Sequence, residues 1–205
     1  MKLQTKRVLL SALAGIACVG YSQGTFGNLN FEQVNTNSPV SLTSWTLYAN
    51  PVGFNDVGIG GAAISVHSAQ SLFFQPLQGS YSVFLQGSSA GPATSAAIGQ
   101  TGQIPTGSLS VRFFADPRSN LQVTFGGNNI AMFRITSTAN YDIFGGDVSS
   151  YAGQTSELRF IGPGNSGGYF DNIFFSNQPI PEPSALCLIG LGALFCCRQA
   201  VRKET

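Results

Sequence analysis

Leu121-Gln122-Val123-Thr124-Phe125 alternates apolar and polar side chains, Gly126-Gly127-Asn128-Asn129 follows it, and Ile130 to Ile135 opens a second β-branched and aromatic run. A period of two places Leu121, Val123 and Phe125 on one face of a strand, and the Gly-Asn tetrapeptide supplies residues that tolerate positive φ in a tight turn. The stretch therefore reads as a β-hairpin. Outward from it the same grammar repeats. Glu157-Leu158-Arg159-Phe160 alternates, and Leu109 to Ala115 is again β-branched and aromatic. Asn28 to Phe31, Ser44 to Leu47, Ala62 to Val66, Ser71 to Phe74, Tyr81 to Gln86, Ala96 to Ile98 and Tyr169 to Phe175 are further strand candidates. Gly-Ser, Asn-Pro, Gly-Pro, Asp-Pro and Gly-Gly pairs punctuate the connections, and no window carries a 3.6-residue apolar stripe built from helix formers. The expectation is an all-β chain: a two-sheet antiparallel β-sandwich of jelly-roll type.

Composition bounds what such a domain can do. One domain is expected over residues 24–178, long enough to bury a single core. All four cysteines lie in the terminal apolar segments, as Cys18, Cys187, Cys196 and Cys197, so packing and hydrogen bonds must hold the domain together without disulfides. No lysine occurs between Val8 and Val201, and residues 24–178 carry Arg112, Arg118, Arg134 and Arg159 against Glu32, Asp56, Asp116, Asp142, Asp147, Glu157 and Asp171. A nucleic-acid partner needs a cationic stripe that this surface lacks.

The two chain ends are of another character. Lys2, Lys6 and Arg7 precede the apolar stretch Val8 to Val19, and Gly20 and Ser22 flank Tyr21, which is the charged, apolar, small-residue order of a secretory signal peptide over residues 1–22. Gly15-Ile16-Ala17-Cys18 leaves lipoprotein processing as an alternative. At the other end Pro181-Glu182-Pro183 is followed by an apolar run, Ser184 to Cys197, and then by the basic stop-transfer residues Arg198, Arg202 and Lys203. The prolines fix φ and remove donors, so the acidic tripeptide is held extended ahead of the helix. As a helix, 184–197 would measure roughly 21 Å against a hydrocarbon core of about 30 Å. Snorkelling by Arg198 stretches the usable span to about Val201, roughly 27 Å.

This order of elements over residues 179–205 resembles the PEP-CTERM sorting signal of Gram-negative bacteria. The resemblance implies an exosortase-type processing enzyme as partner, a membrane-held intermediate with a transmembrane helix at 184–197 and a basic tail at 198–205, and delivery to the cell surface or beyond. A permanently tail-anchored periplasmic protein is the alternative. A signal-peptide helix and a transmembrane helix are thus expected to flank the sandwich.

Asn28-Leu29-Asn30-Phe31-Glu32, Trp45, Gly79-Ser80-Tyr81-Ser82-Val83 and Tyr169-Phe170-Asp171-Asn172-Ile173 resemble the opening, middle and closing strands of galactose-binding-like jelly rolls, a fold shared by many carbohydrate-binding modules. That resemblance implies Glu32 and Asp171 as ligands of a structural calcium; the alternative is that Asp171 accepts backbone hydrogen bonds and Glu32 is solvated. If the domain contacts an exopolysaccharide, aromatic faces should carry the contact. Trp45 and Tyr48 are the ligand candidates, with Tyr81, Tyr141 and Tyr151 also available and a core position open for Trp45.

Catalysis has little to draw on. The domain has one histidine, His67, and no cysteine, which excludes thiol chemistry and a multi-histidine metal site. No Gly-x-Ser-x-Gly elbow offers a serine nucleophile, and Asp142, Asp147 and Glu157 show no pairing spacing for glycoside cleavage. Gly58-Ile59-Gly60-Gly61 and Gly162 to Gly168 read as loops. The expectation is a noncatalytic exported sandwich, neither cofactor-dependent nor an enzyme; an envelope glycan hydrolase is the competing class.

Overall fold

A computed structural model describes residues 23–37, 39–49, 52–55, 63–88 and 94–181. The expected signal peptide, the transmembrane helix, Glu182, Pro183 and the basic tail lie outside the described residues. Within them, no helix is long and apolar enough to cross a membrane, and the only helical turn is a short 3-10 segment, Ser149–Tyr151.

Among the described residues fourteen strands are formed: β1 (Val34–Asn35), β2 (Ser41–Leu42), β3 (Thr46–Leu47), β4 (Val52–Phe54), β5 (Ala63–Ser68), β6 (Tyr81–Gln86), β7 (Ala96–Gln103), β8 (Ser110–Ala115), β9 (Gln122–Phe125), β10 (Asn128–Ile130), β11 (Phe133–Ser137), β12 (Asp142–Asp147), β13 (Thr155–Gly162) and β14 (Gly167–Ser176). Five form one sheet in the order β10-β9-β13-β7-β3, and seven form the other in the order β11-β12-β8-β14-β6-β5-β4. A two-stranded ribbon, β1-β2, stands beside them. All pairings are antiparallel except β4 with β5. The fold is the β-sandwich that the alternating pattern implies.

The hairpin forms where the sequence places it. Asn128 pairs with Phe125, and Gly126 and Gly127 adopt φ of 56° and 80°. Two consecutive positive φ values match the right-handed twist of the flanking strands.

Inward-facing residues alternate along each strand and meet between the sheets. Phe160 of β13 packs edge-on against Phe113 of β8 at 5.3 Å and stacks on Phe170 of β14 at 5.0 Å. Phe31 meets Phe170 at 5.4 Å. These rings fasten one sheet to the other, and Ile64, Val66, Val83, Leu85, Ile98, Val111 and Leu158 fill the space around them.

Three local expectations change. Asn28 to Phe31 is a turn, not a strand, with Asn28 and Phe31 at φ of 52° and 56°. Its cause is the Asn28 side chain, whose Oδ1 accepts from the Gln33 amide at 2.9 Å while its Nδ2 donates to the Gln33 and Thr43 carbonyls at 3.0 Å each. Asparagine tolerates the left-handed conformation because its short polar chain finds such local bonds. Ser71 to Phe74 also lies outside the strands. It belongs to a flap, residues 69–80, in which Ser71 Oγ accepts from the Phe73 and Phe74 amides. Finally, Ile130 to Ile135 divides: β10 ends at Ile130 in one sheet, and β11 starts at Phe133 in the other.

Candidate functional site

The outer face of the five-stranded sheet is set by strand alternation. Leu158 and Phe160 point inward, so Glu157 and Arg159 point outward on β13, and the register sets Gly99 of β7 opposite Arg159. β3 ends at Leu47 and delivers Tyr48 onto the same patch, its amide donating to the Ala97 carbonyl at 2.8 Å. Gly99 leaves the room: a Cβ there would run into Glu157 and the Tyr48 ring. Three side chains close together in that space. Tyr48 OH donates to Glu157 Oε1 at 2.5 Å, Arg159 Nη2 donates to Glu157 Oε2 at 2.6 Å, and the Arg159 guanidinium stacks 4.2 Å from the Tyr48 ring centroid.

Charge state follows from these contacts. The hydrogen bond to Glu157, then burial, then the carboxylate's charge raise the Tyr48 phenol above its ordinary value. It stays a donor. Burial pulls the Arg159 guanidinium down, but the bond to Glu157 and the contacts with Tyr48 outweigh it and leave it raised, so it stays cationic. Arg159 Nε is buried with no hydrogen-bond partner among the described residues, and Tyr48 keeps 40% of its surface exposed. The patch sets a half-exposed aromatic ring, a carboxylate and a cationic guanidinium side by side on one surface. Tyr48 was legible as a surface aromatic. Arg159 was not, because its place beside Tyr48 arises from a pairing over more than a hundred residues.

Trp45 lies in the core rather than on the surface. It is 7% exposed, donates from Nε1 to the Asn28 carbonyl at 3.0 Å, and packs on Phe31 at 5.6 Å. The indole has no free face to offer a ligand, and that candidate role is corrected accordingly.

Glu32 and Asp171 reach the same turn from opposite sides. Glu32 Oε1 accepts from the Ser80 amide at 2.8 Å. Asp171 Oδ2 accepts from Ser82 Oγ at 2.7 Å and the Gln78 amide at 3.2 Å, while Oδ1 accepts from the Asn172 amide at 2.6 Å. Both carboxylates thus hold the flap's return into β6. Burial raises Asp171 to about 7 against these hydrogen bonds, and the neighbouring charge of Glu32 adds to the rise. Among the described residues no group of three or more His, Cys, Asp or Glu side chains is arranged to hold a metal ion.

His67 is fully buried under the flap. Its Nδ1 lies 2.7 Å from Ser71 Oγ and its Nε2 lies 3.1 Å from Ser65 Oγ, and the rings of Phe74, Phe84 and Tyr169 stand edge-on around it. Ser71 thereby pins the flap to β5, while Ser65 of the same strand holds the other ring nitrogen. Asp142 is also buried and pairs with Arg134 at 3.3 Å, whereas Asp147 is exposed and accepts from the Ser149 amide at 2.8 Å.

The segment leading to the sorting tripeptide is docked on the other sheet. The Gln178 carbonyl accepts from Ser110 Oγ at 2.8 Å and Arg112 Nη2 at 3.1 Å, and the Pro179 carbonyl accepts from the same nitrogen at 3.2 Å. Leu109, Phe133, Asp147, Ser149, Pro179, Ile180 and Pro181 line a cleft of about 290 Å³ there. Pro181 leaves the domain exposed.

The chain carries a PEP-CTERM protein-sorting motif, matched over residues 179–203. This motif marks a secreted protein recognised by an exosortase, processed at the membrane and exported to the cell envelope. No curated protein matches the chain. Among solved structures, the chain is similar to a Stig cyclase, Fisc from Fischerella sp. TAU, at 15% identity over 77% of this chain and 98% of that one, with a TM-score of 0.46. It is also similar to TmCBM61 in complex with β-1,4-galactotriose, at 14% identity over 77% and 100% of the two chains and a TM-score of 0.44. A third is the bacteriophage CBA120 tailspike protein 4, at 16% identity over 75% of this chain and 21% of that one, with a TM-score of 0.42.

Proposed function

We infer that the protein is a noncatalytic surface or matrix component, released from a membrane-held intermediate by the exosortase and contacting exopolysaccharide through the Tyr48 patch. The observation that carries this reading is the triad of Tyr48, Glu157 and Arg159 on the outer face of one sheet, with the Tyr48 ring exposed beside a fixed carboxylate and guanidinium. The state of the groups most suited to chemistry supports a noncatalytic role. His67 and Asp171 are sealed beneath the flap, and Glu157 is tied to both of its neighbours.

Two measurements test the reading. Retention of the exported protein on a panel of bacterial and algal polysaccharides should fall about tenfold or more in Tyr48→Ala, as loss of one stacking platform predicts. Equal retention of wild type and variant removes the patch from the function, and breakdown of any polysaccharide by the purified protein restores the hydrolase. For sorting, Glu182→Ala should leave an unprocessed, membrane-held precursor on an immunoblot of cell fractions. Unchanged processing and location in that variant would mean that the tripeptide is not read and that the tail is an ordinary anchor.

A further inference from the structure

We propose that the outer face of the seven-stranded sheet rests on the bilayer while the tail is embedded, with Leu72 and Phe73 of the flap and Phe133 of β11 as its apolar feet. The large hydrophobic side chains exposed among the described residues are Tyr48, Leu72, Phe73 and Phe133, and the last three share this face. Their common orientation follows from register. Val83, Leu85, Ile64, Val66, Val111, Phe113 and Phe170 point into the core, so Phe84, His67, Arg112 and Tyr169 point outward. Phe133 pairs with Gly145, which in turn pairs with Arg112, and facing partners in a ladder share a side.

The flap is not a loose loop that happens to show two apolar residues. Phe74 stacks on Phe84 at 5.2 Å and lies 4.9 Å from Tyr169, Ser71 is bonded to His67, and the Tyr169 hydroxyl donates to the Gln75 carbonyl at 3.1 Å. Between these anchors, Leu72 is 92% and Phe73 69% exposed. A rigid mount that turns adjacent leucine and phenylalanine outward needs a nonaqueous neighbour.

The exit of the chain identifies that neighbour. Gln178 and Pro179 are held by Ser110 and Arg112, and Ile180 lies against Gly145, so the strap crosses the same face over β8 and β12. From Pro181 to the apolar run that begins at Ser184 is three residues, roughly 10 Å of extended chain. An embedded tail therefore keeps this face within about that distance of the headgroups. Phe133 on β11 and the flap over β6 are four strand spacings apart, about 19 Å, with the exit between them. Feet on either side of a tether brace the domain against tilting.

Attraction here is apolar. The domain has no lysine, Arg112 is engaged with the strap, and Asp147 is exposed in the adjoining cleft, so anionic lipid is not required. Three side chains are too few for a stable dimer, which buries about 800 Å² on each partner.

The test uses the full-length protein in phosphatidylcholine vesicles, with and without brominated acyl chains. Trp45 is the chain's only tryptophan and is buried, so wild-type fluorescence gives the background. The Phe73→Trp variant should lose about half or more of its added emission to brominated lipid. Thr101→Trp, exposed on the opposite sheet, should stay at the background level. Quenching of Phe73→Trp no greater than that of wild type or of Thr101→Trp overturns the proposal. So does a blue shift of Phe73→Trp emission without quenching, which would assign the feet to a protein partner or a second copy. Glycan retention by the exported protein is read separately, so either idea can fail alone.

Discussion

The stability of the exported protein should fall as the pH rises from about 4 to about 7, and the Asp171→Asn variant should lose that slope. Asp171 is 1% exposed, and burial raises its carboxyl from 3.8 to about 7, with Glu32 adding to the rise and the bonds from Ser82, Asn172 and Gln78 opposing it. Between those two values the folded chain holds a proton that the unfolded chain has released. Folding is therefore favoured below the unfolded value and loses this advantage as the pH climbs through the folded one. A rise from 3.8 to about 7 corresponds to about 4 kcal/mol at most. Asp116 acts in the other direction, since its hydrogen bond from Arg118 lowers it, but Arg118 is exposed and the pair is screened by solvent, so it contributes little. Urea unfolding at pH 4.5 and pH 7.5 measures the difference. A wild-type slope unchanged by Asp171→Asn would mean that the carboxylate is ionised in the folded state.

The second large effect is expected at Asn28. Replacing it by alanine removes three hydrogen bonds at once and leaves the Gln33 amide and the carbonyls of Gln33 and Thr43 without their side-chain partner. Each of these bonds contributes about 0.5–1.5 kcal/mol net, the Gln33 carbonyl keeping the Thr43 amide as a donor, and alanine also resists the positive φ of 52°. A loss of about 3–4 kcal/mol in urea unfolding is expected. Asn28→Asp, which keeps the acceptor for Gln33 but neither donor, should fall between. Since the Asn28 carbonyl also receives the Trp45 indole, the emission of the sole tryptophan should shift to the red in the alanine variant.

Much of the fold was legible because strand alternation is a local signal. Tyr81 to Gln86 was readable to the residue, and Gly126-Gly127 could be read as a hairpin from backbone freedom alone. β12 was missed because Gly145 and Gly146 interrupt its pattern; they are small because Ile135, Ile180, Ile130 and Met132 crowd the places where Cβ atoms would sit. The flap was mistaken for a strand because Phe73 and Phe74 look alike in sequence. One is exposed, and the other is packed between Phe84 and Tyr169. The candidate site was half readable: Tyr48 follows a short strand and precedes a turn, whereas Glu157 and Arg159 join it only through the register of β13 on β7 and of β7 on β3.

The linear order of residues alone determined the export address, the absence of disulfides in the domain and the all-β class. Each depends on composition or on neighbours a few positions apart, where the chain needs no partner to express its chemistry. Tertiary structure decided that Trp45 is core, that Glu32 and Asp171 grip one turn, that His67 is sealed, and which face carries Leu72, Phe73 and Phe133. Those outcomes depend on sheet order and register, which bring together segments far apart in sequence and are settled by how two apolar faces close on each other.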